Sequence, residues 1–261
     1  MNTALLVLVA AIWGAAAGAL LPRAAYRFSV PEGEEWRERC PGGHRLRGRT
    51  GETGRTGRAG VAGWTAWIGR ARCRECEGAR TYGPGTALMA TVTALVCAAL
   101  AAATDTRPEL GVWLLLAPVG VLLTAVDFRV RRLPNPLTLT LAVATPALLG
   151  LVALVPEHAG DWSTALWATL ALGAGYYVLY LVNPGGMGFG DVKLALGVGA
   201  ALGWYGWPTV MLGTFAGFLF GALYGWALVL LRRAGRKTAI PFGPFLLGGA
   251  FVGLLIGAYA A

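Results

Sequence analysis

Eight stretches of the chain carry almost no charge: residues 4–21, 86–104, 110–126, 137–155, 163–182, 192–204, 208–231 and 243–260. Each lies near the roughly 20 apolar residues a helix needs to cross a bilayer. The 192–204 run is short, and its helix is expected to reach back through the glycine-rich segment before it. Pro118 and Pro146 fall inside runs and predict kinks whose freed carbonyls are satisfied by neighbouring helices. Trp162, Trp204 and Trp207 fall at run ends, where interfacial aromatics anchor a span. The first run has no basic residue before it, so the n-region of a cleavable signal peptide is missing and a retained helix is expected. Residues 23–85 are different: they are rich in Arg, Gly and Thr, and Arg47 to Gly60 (RGRTGETGRTGRAG) is nearly repetitive. Such a composition cannot bury a core and predicts a flexible, solvated loop. The pattern predicts an all-α polytopic membrane protein with about eight transmembrane helices. A first helix covers 1–22, one long basic loop covers 23–85, and a seven-helix membrane domain covers 86–261.

Composition sharpens this picture. The chain is 56% hydrophobic and 13% charged, against roughly 25% charged residues in soluble domains. Its net charge of +9 would suit nucleic acid, but the distribution excludes that partner and points to the lipid bilayer. If the eight runs cross in alternation, 21 of the 22 Lys and Arg fall on one side, and only Arg107 on the other. The positive-inside rule makes the crowded side cytoplasmic and places both termini outside. The long loop can also lie against anionic headgroups. Four cysteines without a disulfide-like framework say little about redox compartment.

The segment Gly185-Gly186-Met187-Gly188-Phe189-Gly190-Asp191-Val192-Lys193-Leu194 sets a carboxylate and an ammonium at the head of an apolar run. An ionisable group at a membrane boundary is costly and points to function. The glycines strip bulk from around Asp191, so another backbone can approach it. Taken alone, the string also fits a helix-packing glycine cluster with a snorkelling Lys193. Asp127 ends the third run, two complete spans before Asp191, so both emerge at the same, cytoplasmic face. Asp105, Glu109, Glu157 and Asp161 fall outside, and the remaining acids lie in the long loop. Asp127 alone also fits a helix-end residue balanced by Arg129, Arg131 and Arg132. Two carboxylates in a partly dry site cannot both ionise easily and share a proton. Such a pair holds an acid and a base at once, enough to hydrolyse a peptide bond without a metal or a nucleophilic side chain. His44 in the loop and His158 outside leave no histidine beside the pair, and the chain contains no His-Glu-x-x-His.

These residues resemble the type IV prepilin peptidase family, membrane aspartyl proteases of the Gly-x-Gly-Asp kind. Gly188, Gly190 and Asp191, with Lys193 and Leu194, are similar to the family's second catalytic block, and Asp127 with Arg132-Leu133-Pro134-Asn135 to its first. Ile240-Pro241-Phe242-Gly243-Pro244-Phe245-Leu246 resembles its proline-rich lead-in to the last span. Gly18, Arg27 and Pro31 fall where its N-terminal module leaves the first helix. The resemblance implies a bacterial cytoplasmic-membrane enzyme that removes a short, charged leader from a prepilin or pilin-like secretion subunit, with Asp127 and Asp191 as the catalytic pair. It also implies, for bifunctional members, methylation of the new terminal amine from S-adenosylmethionine. Proteolysis itself needs no cofactor.

Cys40-Pro41 and Cys73-Arg74-Glu75-Cys76 resemble the family's cysteine-bearing loop, whose two Cys-x-x-Cys pairs look like a zinc knuckle. Here the second cysteine of the first pair is missing. His44, one residue further on, can complete a zinc set with Cys40, Cys73 and Cys76; the alternative is a degenerate loop without metal. Cys97, inside a run, reads as a small apolar filler. Three other readings fit these residues less well. A presenilin-like intramembrane protease expects a Tyr-Asp pair, whereas Val126 precedes Asp127. An ion-coupled multi-pass transporter expects inverted halves and midplane carboxylates, and the halves show no such repeat. A catalytically dead scaffold for pilus assembly is disfavoured by the presence of both aspartates.

Overall fold

The computed structural model describes residues 2–31, 33–46, 67–73, 75–76, 81–231 and 241–261. Helices α1 (Thr3–Leu20), α2 (Pro22–Phe28), α3 (Thr86–Thr104), α4 (Glu109–Val130), α5 (Asn135–Val152), α6 (Trp162–Val182), α7 (Phe189–Gly203), α8 (Trp207–Leu230) and α9 (Gly243–Ala260) follow in order. All but α2 occupy the eight apolar runs. Seven are long and apolar enough to cross a membrane, so the chain is an all-α, polytopic membrane protein. The exception among the eight, α7, has 15 residues and spans roughly 22 Å at about 1.5 Å per residue. It starts at Phe189, inside the glycine segment, and so reaches back only part of the way that the short apolar run suggests. Eleven of its 15 residues are buried, and it packs against α5, α6, α8 and α9. A helix apolar on all sides belongs at the centre of a bundle.

Small residues set the packing, because apolar lipid offers little drive to bring helices together. On α7, a Cβ added at Gly199 would lie 2.5 Å from Ala168 O of α6, and one at Gly197 3.0 Å from Leu141 O of α5. The α1–α3 contact is built the same way: a Cβ at Gly18 would meet Met89 O at 2.5 Å. Backbone cannot step aside as a side-chain tip can. Gly18→Ala should therefore destabilise the bundle by about 1–3 kcal/mol. Gly175→Ala, where nothing lies within 4 Å of the new Cβ, should be neutral or stabilising by up to about 1 kcal/mol through helix propensity. Thermal unfolding in detergent compares the two, and a Gly18→Ala midpoint at or above wild type would contradict this packing.

At the end of the bundle away from Asp127, polar groups tie four segments together. Arg107 Nη2 donates to Ala258 O at 2.7 Å, and its other terminal nitrogen lies 4.0 Å from the buried Glu109. Tyr205 Oη donates to Glu109 at 3.4 Å and accepts from Trp113 Nε1 at 3.2 Å. The one basic residue assigned to the sparse side thus has a structural partner. Trp162 and Trp207 are exposed at helix starts, as anchors should be, but Trp204 is buried. It packs against Gly160 and the His158 ring and belongs to the core, not to the interface.

The described part of residues 23–85 also departs from the sequence expectation. It forms α2 and buries Ala24, Ala25 and Phe28 against Leu122 and Val126 of α4. Phe28 packs on Trp36 and Trp67, at 5.0 and 4.7 Å between ring centroids, and Tyr26 on Tyr82 at 4.6 Å. Composition averaged over the segment is dominated by its polar middle and hides these aromatics. The repetitive 47–60 run, on which the flexible-loop expectation chiefly rested, and the 232–240 loop lie outside the described residues.

Candidate active site

Asp127 sits in the last turn of α4, which closes at Arg131 in the left-handed conformation (φ 52°, ψ 39°), its N–H donating to Asp127 O at 2.8 Å. The chain then turns through Leu133 and Pro134 into α5. The Asp127 side chain is 3% exposed, and its Oδ2 accepts from the Gly243 N–H at 3.1 Å. Asp191 lies in the first turn of α7, where the helix dipole favours a negative group. It is 6% exposed, and its Oδ2 accepts from the Gly188 N–H at 3.1 Å. Gly243, which holds Asp127, and Gly190, next to Asp191, both pack against the Leu133 side chain. Each carboxylate therefore has one oxygen held by a backbone N–H, and Asp191 Oδ1 is buried without a hydrogen-bond partner among the described residues.

Leu133 closes the seam between the two halves of the site. A Cβ at Gly190 would lie 2.9 Å from Leu133 Cβ, and one at Gly243 would lie 3.1 Å from Leu133 Cδ2 and 2.8 Å from Asp127 Oδ2. Both glycines are needed for close approach, as the stripping of bulk around Asp191 suggests. Gly188 contributes differently, through its N–H. Lys193 Nζ donates to Asn135 Oδ1 at 2.8 Å and lies 4.8 Å from the centre of the Phe189 ring. The second motif is thereby pinned to the start of α5. Asp127, Asp191, Gly188, Gly190 and Lys193 thus gather at one end of the bundle. Arg132, from the same turn as Leu133, donates to Pro31 O at 2.7 Å and lies over Trp36, which couples the N-terminal module to this end.

Two features of the site have no counterpart in the sequence reading. The Gly243 donor is a backbone group, which leaves no side-chain signal. Tyr176 of α6 is buried, and its hydroxyl lacks a hydrogen-bond partner among the described residues. Its ring packs on Phe218 and Phe242, each 5.9 Å away. The available signal was three tyrosines, Tyr176, Tyr177 and Tyr180, in the second half of a mainly apolar run.

A second cluster forms in the N-terminal module. One donor atom each from Cys40, His44, Cys73 and Cys76 lie within 4.8 Å of one another. Two short loops meet here, and among the described residues each is closed by one antiparallel bridge, Arg39 to Arg45 and Arg72 to Thr81. Gly43 turns the first loop at φ 83°, and a Cβ at Gly42 would lie 2.7 Å from Cys76 Sγ. Cys40 Sγ is 3.7 Å from Cys76 Sγ, and His44 Nδ1 is 3.6, 3.7 and 3.3 Å from the sulfurs of Cys40, Cys73 and Cys76. A tetrahedral zinc with Zn–S of about 2.3 Å and Zn–N of about 2.0 Å requires S···S near ~3.8 Å and S···N near ~3.5 Å. The cluster has those spacings, so the four residues fit that ion. Cys97 is wholly buried among Leu6, Ala10 and Leu110, remote from this cluster in the fold, as a filler should be.

The fold and the site define a class: a polytopic helical membrane protein that holds two buried carboxylates, from two different helices, at one end of its bundle. The sequence profile described as the type IV leader peptidase family matches residues 114–226, which include both aspartates. A protein of Escherichia coli (strain K12) named prepilin leader peptidase/N-methyltransferase is 33% identical over 176 residues, covering 63% of this chain and 73% of that protein. One of the same name from Aeromonas salmonicida is 35% identical over 198 residues, covering 72% of this chain and 63% of the relative. For another, from Pseudomonas aeruginosa, the figures are 31% over 194 residues, with 71% and 62% covered. The match thus spans less than two thirds of the length of these last two relatives. No solved structure matches. The chain belongs to the type IV leader peptidase family.

Proposed function

We propose that the chain is a membrane aspartyl endopeptidase that cuts the leader from a type IV prepilin or pilin-like secretion subunit, with Asp127 and Asp191 as its catalytic pair. The observation that carries this reading is two buried carboxylates brought to one end of the bundle around Leu133, each with one oxygen steadied by a backbone N–H. One carboxylate takes a proton from water as the water oxygen attacks the peptide carbonyl carbon. The other, protonated, gives its proton to the carbonyl oxygen. The resulting gem-diol collapses as the C–N bond breaks and a proton passes to the departing amine. A shared proton leaves the labels of acid and base open. Gly188 and Gly190 shape the approach, and Lys193 braces the second motif against α5. The bias of basic residues supports a cytoplasmic active site, both termini outside, in the bacterial cytoplasmic membrane. The N-terminal helix and the 23–85 module would then precede the seven-helix peptidase domain.

Cys40, His44, Cys73 and Cys76 would hold a structural zinc, whose chemistry is to staple two short loops. No step of cleavage passes through it. Methylation of the new terminus from S-adenosylmethionine is proposed as a second activity, on the strength of the relatives' names. The test is co-expression with a candidate prepilin and intact-mass measurement of the product. Loss of the leader mass is expected, and one added methyl mass would accompany methyl transfer. An uncut prepilin beside a membrane-inserted enzyme contradicts the peptidase reading. Two carboxylates at one bundle end, without a path of ionisable groups through the middle, disfavour the transporter reading.

The backbone donor to Asp127 makes a graded prediction. Gly243→Ala places a methyl 2.8 Å from Asp127 Oδ2 and should cut the cleavage rate by about 10²-fold, the scale of a roughly 1 Å misplacement. Unchanged cleavage would mean that the Gly243 contact does not position the carboxylate.

A further inference from the structure

The helix faces that bear Asp127, Asp191 and Gly243 run on, away from the carboxylates, as three walls of one cavity of about 280 Å³. Thr124 and Val121 line it on α4, Leu194 and Val198 on α7, and Pro244 and Leu247 on α9. Positions three or four apart share a helix face, so Thr124 lies one turn from Asp127 and Leu194 one turn from Asp191. The walls are apolar. Of their few polar side chains, Thr145 donates to Leu141 O at 2.7 Å and Trp113 to Tyr205 Oη. An apolar cavity of about 150 Å³ stays dry and takes a benzene ring, so this one has room for roughly two large apolar side chains. Val92, on its α3 side, is 38% exposed, so the cavity reaches the bundle surface between membrane-spanning helices. A chain already in the membrane can enter there without crossing water.

We infer that this cavity receives the first apolar side chains on the C-terminal side of the bond that the carboxylate pair cuts. The inference rests on the peptidase reading. A helical turn is about 5.4 Å and an extended residue about 3.3 Å, so the cavity begins within roughly two residues of the pair. On the other side of Asp127 the chain bears Arg129, Arg131 and Arg132. Polarity therefore changes at the pair itself: apolar toward the cavity, charged toward the loops. A chain that passes from a charged leader into the membrane at the cut would change polarity at the same place. The cavity thus selects for bulk and apolarity immediately after the cut and sets the register in which the bond meets the carboxylates. A lipid acyl chain matches the walls in chemistry, but it has no part that belongs between two carboxylates.

Two measurements test this. First, Gly120 lines the cavity, and a Cβ there meets only Leu247 Cδ2, at 3.8 Å. Gly120→Leu should fill the space and slow cleavage of a prepilin with bulky apolar residues after the cut by at least about tenfold. It should spare a prepilin carrying alanine at those two positions. Equal rates with wild type on both substrates, or equal slowing on both, would overturn the inference. Second, a photoactivatable benzophenone side chain at Val121 should cross-link to the two residues after the cut in an Asp191→Asn background. The same group at Leu115, which is 53% exposed, should label lipid. Labelling of lipid alone from Val121, with prepilin present, would also overturn it. The cross-link does not require cleavage. If wild type fails to cut, the peptidase reading fails, and the Val121 product alone decides for or against the cavity assignment.

Discussion

Cys73→Ser or Cys76→Ser should abolish a stoichiometric zinc that purifies with the wild-type chain, and His44→Cys should keep it. The spacing of the donors carries this expectation: the Cys40 and Cys76 sulfurs lie 3.7 Å apart, and His44 Nδ1 lies 3.6, 3.7 and 3.3 Å from the three sulfurs, separations that suit a tetrahedral ion. Among the described residues each loop is closed by one isolated bridge and a few backbone hydrogen bonds, too little for independent stability. Structural zinc contributes on the order of 10–16 kcal/mol to such modules, far more than one bridge can. Loss of a ligand should therefore release the metal and unfold this part of the module together, seen as faster amide exchange at Tyr26 and Tyr82, whose rings pack beside the cluster. Elemental analysis of purified protein is the direct check. A wild-type chain with less than about a tenth of an equivalent of zinc, under conditions free of chelator, would contradict the assignment.

The parts of the fold that were legible in the sequence are those with a local cause. A charge inside lipid is expensive wherever it sits, so eight uncharged runs marked eight helices; α7 reaches back only to Phe189, and Gly185, Gly186 and Gly188 stay outside it. The same logic put Asp127 and Asp191 at one end, since two crossings between them return the chain to the same face. What escaped has distant causes. Phe28, Trp36 and Trp67 form one aromatic cluster, but 39 residues separate the first from the last, and an average over the segment reads as polar. Trp204 has the run-end position of an anchor, and only the approach of Gly160 reveals it as core. The contact from Gly243 to Asp127 spans 116 residues and uses a backbone donor. Nothing in a residue's identity announces that. His44 is an intermediate case: its position beside a missing cysteine suggested a substitute ligand, and its ring nitrogen lies among the three sulfurs.

The carboxylate pair is the centre of the account. If Asp127 and Asp191 hold one proton between them and act as one unit, neither can work alone. Asparagine keeps the shape and the hydrogen-bond acceptor at Oδ but can neither take nor give the proton. Asp127→Asn and Asp191→Asn should each lower cleavage on the order of 10⁴-fold or more, and the double variant should be no worse than either, because groups acting together are not additive. Burial without a charge is easier than burial with one, so these variants should insert and resist unfolding at least as well as wild type. The decisive measurement is intact mass of a co-expressed prepilin beside wild type, each single variant and the double variant, with enzyme amount in the membrane measured in parallel. The account predicts leader loss with wild type and an uncut prepilin with all three variants at matched membrane levels. Cleavage by either single variant at near wild-type rate would contradict it.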